Sequence, residues 1–184
     1  MRDDTSTAQT VEAPKLTPLA VKNKLASTPA SGPKYSVTVK TGSGAEAVCA
    51  DPKATRALLA LMNVHAVNGG AACHWGGPSA FAEIMSAIHS IMFSAKGRAW
   101  HEAYNFVNDA GHTENGIYAL RALYGFDKMT FVVLKGFRGV KSKLTGHGES
   151  HLNPEGVLIS NGPLGSGLPQ AQGLAIGDKV TGND

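Results

Sequence analysis

A glycine-rich turn between a short apolar run and a helical stretch constrains the fold of this chain more than any other feature. The run Gly156–Ser160 predicts a buried strand. A helix is predicted over Ser166–Asp178, with Pro169 in its first turn, where a missing N–H costs nothing. A strand, a glycine turn and a helix are what α/β proteins use to present backbone N–H groups to a ligand. The residues equally allow a tight turn that only packs the helix against the strand.

Length and composition restrict the class of protein. The 184 residues suffice for one hydrophobic core, so we predict a single domain over residues 35–184 after a flexible leader at residues 1–34. The net charge is +3 and Lys and Arg do not cluster, which argues against nucleic-acid binding. No apolar run is long enough for a membrane span. The leader has no secretory apolar region and carries acidic residues, so a cytoplasmic location is predicted.

The remaining elements alternate between short strands and helices, which predicts an α/β fold with a mostly parallel sheet flanked by helices. Met129–Phe137 is ambiguous, because its centre has strand propensity while Thr130 is also a good helix cap. Helices are predicted over Asp51–Ala66, Ser79–Phe93 and Glu114–Tyr124, and short strands over Lys34–Lys40 and Phe106–Asp109. The second of these helices has an apolar stripe, best explained by core packing, made of Phe81, Ile84, Met85, Ile88 and Met92.

Three turns each place a histidine close to glycine: His74, His112 and His147. In a parallel α/β sheet, the loops at the carboxyl ends of the strands converge on one crevice. Three imidazoles there would hydrogen-bond phosphates and hydroxyls, or transfer protons near neutral pH. Taken singly, each histidine is more often a structural residue, so it is the repeated Gly/His context that favours a site.

A zinc site is the alternative for the last of these turns. His147 and His151 are four residues apart, a spacing that suits zinc on a helix. Gly146, Gly148 and Pro154 make a helix there unfavourable, and no H-E-x-x-H motif is present. A metal site is therefore not predicted from these histidines.

The motifs around the three turns resemble one known family. Gly146-His147-Gly-Glu149, Gly162-Pro163-Leu164-Gly165-Ser-Gly167 and Gln172-Gly173-Leu-Ala175 are similar to the N-terminal domain of transketolase. Cys73-His74-Trp-Gly-Gly77 and Asp109-Ala-Gly111-His112 resemble the two earlier histidine turns of that family. The spacing between the turns is also similar, so the resemblance covers roughly residues 52 to 180.

The resemblance implies a thiamine-diphosphate enzyme that transfers a two-carbon ketol unit between sugar phosphates. It implies that His74 and His147 face the donor sugar and act as catalytic residues. It further implies that His112 lies by the cofactor, and that the turn at Gly162 and Leu164 packs on the aminopyrimidine ring. The family also uses Mg²⁺ or Ca²⁺, which oxygen ligands suit.

The chain departs from the family pattern in ways that limit this expectation. It ends before any Gly-Asp-Gly metal motif and before the family's second domain, so we predict an incomplete transketolase-type domain without its metal site. Gly148 replaces a proline, and Val132 and Val133 stand where the family often has acids. We therefore expect a second chain or a homodimer to complete the enzyme, and the isolated chain to be inactive. The alternative is a non-catalytic module that binds a partner or a sugar phosphate.

Overall fold

The computed structural model describes residue 29 and residues 32–94, 97–126 and 128–182. The predicted leader, residues 1–34, lies mostly outside these described residues. Two strands form a hairpin, β1 (Ser36–Lys40) and β2 (Glu46–Ala50). The helices are α1 (Pro52–Asn68), α2 (Gly76–Ala80), α3 (Ala82–Phe93), α4 (Trp100–Ala103), α5 (Glu114–Leu123), α6 (Phe131–Leu134) and α7 (Gly167–Thr181), and a 3₁₀ turn, Gly111–Thr113, precedes α5.

Helix α5 is the centre of the core. All of its residues are buried, and it packs against α1, α3 and α6. Tyr118 and Leu120 of α5 are fully enclosed, as are Leu59 and Met62 of α1. Each such side chain contributes about 1.5–3 kcal/mol by leaving water, so the α1–α5 contact is a main source of stability.

The cap predicted for α1 is confirmed. The Asp51 carboxylate accepts a hydrogen bond from the Lys53 N–H at 2.8 Å, and Pro52 is the first helical residue. The helix continues past the predicted end at Ala66 as far as Asn68, where Gly69 and Gly70 follow. The predicted helix over Glu114–Tyr124 is confirmed as α5.

The helix predicted over Ser79–Phe93 is divided in two, which is a correction. Helix α2 starts earlier, at Gly76, and α3 begins at Ala82. The predicted apolar stripe is only partly inside, since Met92 is buried while Ile84 is 55% exposed. The protein instead buries the hydroxyls of Ser86 and Ser90, because they donate to carbonyl groups of β2.

The observed sheet is the antiparallel pair of β1 and β2, with Thr38 opposite Val48. The strand predicted over Lys34–Lys40 is confirmed from Ser36 onward. Among the described residues no parallel pairing occurs, and the mostly parallel sheet stays a prediction.

The strands predicted over Phe106–Asp109 and Gly156–Ser160 do not form, and local hydrogen bonding explains the second. The Val157 N–H donates to Asn153 at 2.9 Å, and the Asn161 N–H donates to Gly148 at 2.9 Å. Because these N–H groups already donate to carbonyl groups of other loop residues, they cannot also pair with a neighbouring strand. A strand of a parallel sheet also needs a neighbouring strand to pair with, and other elements that cover both faces of the sheet.

Helices form both in the ambiguous segment Met129–Phe137 and in the segment after the glycine turn. Thr130 accepts a hydrogen bond from the Val133 N–H at 3.2 Å and starts α6, which decides the ambiguous Met129–Phe137 segment in favour of a helix. Val132 on α6 is 74% exposed. The helix predicted over Ser166–Asp178 is confirmed as α7 and continues to Thr181. No helix among the described residues has the length and apolar character needed to cross a bilayer.

Candidate functional site

The three predicted histidines converge in one place. The ring centroids of His74 and His112 are 5.4 Å apart, and those of His74 and His147 are 5.8 Å apart. His74 comes just before α2, His112 lies in the 3₁₀ turn before α5, and His147 lies in the loop that follows α6. Residues separated by up to 73 positions therefore form one cluster of imidazoles, although α-helices and turns rather than parallel strands position them.

Close backbone contacts at glycines hold the three turns together. A Cβ at Gly77 would lie 2.6 Å from His112 Nε2, so only glycine lets α2 approach that imidazole. A Cβ at Gly111 would lie 2.7 Å from the Gly162 nitrogen, so the turn that carries His112 is in direct contact with the glycine turn before α7. Gly162 has a φ of 136° and borders the ring of His147. The turns are therefore closely packed at Gly77 and Gly111, where a side chain would clash.

His74 is the most perturbed member of the cluster. Its pKa is lowered, first because burial disfavours the charged ring and then because His112, His147 and Arg138 add positive charge nearby. Its Nδ1 is buried and has no hydrogen-bond partner among the described residues. Buried polar atoms are nearly always paired, so a partner from a ligand is the simplest way to satisfy this nitrogen.

Arg138 belongs to this site and was not predicted from the sequence. A Cβ at Gly146 would lie 2.9 Å from Arg138 Cζ, so the guanidinium lies against the turn that carries His147. Arg138 has a φ of 59°, the left-handed conformation that is costly for a residue with a side chain. Its backbone N–H donates to Leu144 at 2.8 Å. Nothing in the local pattern marks this arginine, because its contact closes a loop across eight residues.

The glycine turn itself is open to solvent. The Leu164 side chain is 81% exposed, and Gly165 takes a φ of 80° that turns the chain toward α7. An apolar side chain held out at a tight turn is suited to packing on a flat ring. Gly162 and Leu164 thus lie on the same turn, one beside His147 and the other facing outward.

The N-terminus of α7 is occupied by a carboxylate of this chain. Asp109 Oδ1 accepts hydrogen bonds from the N–H groups of Gly167 at 2.6 Å and Leu168 at 3.2 Å. A Cβ at Gly167 would lie 2.5 Å from the Asp109 Cα, so the two segments are tightly packed. The first N–H groups of α7 are therefore used for packing, which favours the tight-turn interpretation at this end of the turn.

The zinc alternative rests on His147 and His151. The His151 side chain is 70% exposed, and its Nδ1 lies 3.6 Å from Glu149 Oε2. Across the described ranges, no group of three or more His, Cys, Asp or Glu side chains is arranged to hold a metal ion.

Comparison with known proteins assigns the family. A family model described as "Transketolase, thiamine diphosphate binding domain" matches residues 51–183. The chain belongs to the transketolase family. The thiamine-diphosphate-binding domain of this family is an α/β domain. The β1–β2 hairpin precedes the matched region.

Individual relatives agree with this assignment. The chain is 37% identical over 125 residues to transketolase of Rhodobacter capsulatus, which covers 66% of the chain and 18% of that protein. It is 38% identical over 120 residues to transketolase of Kluyveromyces lactis, covering 65% and 17%. It is 33% identical over 124 residues to transketolase 2 of Escherichia coli, covering 66% and 18%. The chain thus spans less than a fifth of the length of these relatives, and no solved structure matches it significantly.

Proposed function

We propose that this chain supplies one wall of a transketolase-type site, where a thiamine-diphosphate-dependent enzyme transfers a two-carbon ketol unit between sugar phosphates. The observation that carries the proposal is the convergence of His74, His112 and His147 in a family member, with the buried Nδ1 of His74 left without a partner among the described residues. Three ring nitrogens at one place suit a ligand rich in oxygen atoms.

The residues present fit the cofactor on one side. The orphaned Nδ1 of His74 and the positive φ of Gly162 indicate a place where a polar ligand approaches the backbone closely. His112 would hydrogen-bond thiamine diphosphate, while Gly162 and Leu164 would pack on its aminopyrimidine ring. Bound thiamine diphosphate supplies the carbanion chemistry of ketol transfer, and the protein supplies binding and orientation.

His74 and His147 are the proposed catalytic residues toward the donor sugar. Charge develops on the sugar oxygens during cleavage of a C–C bond, and imidazole N–H groups aimed at those oxygens stabilise it. The lowered pKa of His74 favours its neutral ring, which can donate at one nitrogen and accept at the other. Arg138 adds a fixed positive charge beside the turn of His147, which suits a phosphorylated sugar.

Other parts of the site would come from elsewhere. We propose that sequence outside this chain holds Mg²⁺ or Ca²⁺, and that a second chain or a homodimer completes the cofactor cleft. A cytoplasmic location stays a proposal.

A second candidate function is a non-catalytic module that binds a partner or a sugar phosphate. The observation in its favour is Asp109, whose carboxylate occupies the N-terminus of α7 and removes the positively polarised N–H groups that would attract a diphosphate there. The two candidates differ in whether the chain binds thiamine diphosphate.

Calorimetric titration of thiamine diphosphate with Mg²⁺ into the folded chain separates the two candidates. We expect saturable binding that is weakened about tenfold by His112→Ala, since one hydrogen bond to a charged ligand contributes roughly 1.5 kcal/mol or more. Gly77→Ala should weaken binding as well, because its Cβ would displace the His112 ring.

Gly76→Ala is the matched control for this experiment. A Cβ at Gly76 has no heavy atom within 4 Å, although the residue adjoins Gly77 on the same helix. Its binding should equal that of the unchanged chain. Absence of binding in a folded sample would favour the non-catalytic module.

The chain by itself is expected to show no substantial ketol transfer. One wall of a cleft orients only part of the substrate, and most of the rate enhancement depends on complete positioning. Turnover of a donor and an acceptor sugar phosphate is measured with the purified chain. Turnover that persists in a preparation free of contaminating enzyme, and that is lost in His74→Ala, would contradict this prediction.

A further inference from the structure

Glu114 is a buried acid that the proposed function does not use. It is 1% exposed and is the first residue of α5, immediately after the 3₁₀ turn that carries His112. Its Oε2 accepts hydrogen bonds from Asn108 Nδ2 at 2.9 Å and from Asn161 Nδ2 at 3.2 Å. The helix N-terminus favours a negative charge at this position. Glu114 therefore joins the segment before His112 to the glycine turn.

The contact continues from Asn161 to the loop of His147. Asn161 Oδ1 accepts a hydrogen bond from the Gly148 N–H at 2.6 Å, and the Asn161 N–H donates to the Gly148 carbonyl at 2.9 Å. The next residue, Gly162, borders the His147 ring. Asn161 thus holds the backbone at Gly148, directly after His147, and Glu114 accepts a hydrogen bond from the amide of Asn161.

The space around Gly148 is filled by the same two side chains. A Cβ at Gly148 would lie 2.8 Å from Glu114 Oε2 and 2.7 Å from Asn161 Nδ2. Real Cβ atoms do not approach other atoms so closely, so any side chain at this position would displace the contact. The resemblance leads one to expect proline at position 148. Glycine stands there because the carboxylate of Glu114 fills the space that a side chain would need.

We propose that Glu114 is a positioning residue that sets the orientation of His147 through Asn161, and that Gly148 is required by its carboxylate. The role of His147 toward a sugar rests on the proposed function, whereas the orientation of the ring does not. Glu114 acts as an acceptor for two amide N–H groups, so a side chain of similar size without an acceptor leaves both amides unpaired.

A matched pair of variants, Glu114→Gln and Glu114→Leu, isolates the acceptor from the volume. Amide hydrogen exchange at Gly148 and the imidazole resonances of His147 are measured by NMR in the chain without cofactor. In Glu114→Leu we expect exchange at Gly148 to accelerate about tenfold, because one buried hydrogen bond is lost, and the His147 resonances to shift. In Glu114→Gln both readouts should stay near those of the unchanged chain, and amides of the β1–β2 hairpin should be unaffected in either variant.

The reverse outcomes overturn the inference. Unchanged readouts in Glu114→Leu, or equal disturbance in Glu114→Gln, would show that the acceptor does not orient His147. If Glu114→Leu does not fold, Gly148→Ala tests the same contact, because the added Cβ would displace the Glu114 carboxylate and the Asn161 amide. The His147 resonances should be displaced in Gly148→Ala, and unchanged resonances would overturn the inference.

Titration with thiamine diphosphate and Mg²⁺ is a separate arm. Absence of binding by the unchanged chain counts against the proposed function, while the NMR readouts still decide the role of Glu114. With binding present, Glu114→Leu should weaken it and Glu114→Gln should not.

Discussion

Replacing Gly111 with alanine should strongly destabilise the folded chain. The added Cβ would lie 2.5 Å from Asn161 Oδ1, and 2.7 Å and 2.9 Å from the nitrogen and Cα of Gly162. Backbone atoms cannot rotate away as the end of a side chain can, so the two turns must separate. Overpacking typically costs about 1–3 kcal/mol, and loss of the buried hydrogen bonds of Asn161 adds to it, so we expect the free energy of unfolding to fall by about 3 kcal/mol or more.

Urea denaturation of Gly111→Ala measures this loss. Gly76→Ala is again the control, since its Cβ meets open space. Its free energy of unfolding should stay within about 0.5 kcal/mol of that of the unchanged chain. Equal stability of the two variants would mean that the turn of His112 and the turn of Gly162 are not in contact in solution.

Local rules were sufficient for helices α1 and α5. Asp51 and Pro52 carry a complete start signal within two residues, and the hydrogen bond to Lys53 confirms it. Helix α5 was found from its apolar positions and from Gly125 after its end. Such signals depend on residues within one or two turns of each other, so the sequence displays them directly.

Contacts with residues outside a segment account for the predictions that were wrong. The run Gly156–Ser160 has the composition of a strand, yet the N–H groups of Gly156 and Val157 donate to the Asn153 carbonyl in a turn. Ser86 and Ser90 are not part of the predicted apolar stripe, but they are buried because β2 offers carbonyl groups to their hydroxyls. In both cases the decisive partner lies outside the segment, so periodicity does not reveal it.

The candidate site was also predicted only in part. The sequence marked His74, His112 and His147 because each stands near a glycine in a turn, and the structure brings their rings together. Arg138 and Glu114 were missed, since an arginine in a loop and a glutamate at a helix start are both ordinary on a surface. Their burial and contacts appear only when the turns are assembled, and the roles of all five residues remain proposals.

Acid should destabilise the domain through His89. This ring is 2% exposed, its Nδ1–H donates to the Met85 carbonyl at 2.8 Å, and its faces meet Phe93 and Phe106. Burial lowers its pKa from 6.5 to about 4. The unfolded chain therefore binds a proton more readily than the folded chain between these values, so stability is complete above pH 6.5 and falls as the pH approaches 4.

Comparing His89→Leu with the unchanged chain isolates this effect. For the unchanged chain, the contribution of His89 at pH 4.5 is a loss of about 2.5 kcal/mol relative to pH 7.5, from 1.36 kcal/mol per pKa unit. Urea midpoints are measured at both pH values, and His89→Leu should lose less stability on acidification by that amount, although it is less stable at pH 7.5 because the Met85 carbonyl loses its donor. His65→Gln, on the exposed side of α1, should keep the full pH dependence. An identical fall in His89→Leu would mean that the ring at position 89 is not buried in the neutral form. In that case, the packing of α3 against Phe106, and with it the segment leading to the His112 turn, would have to differ in solution.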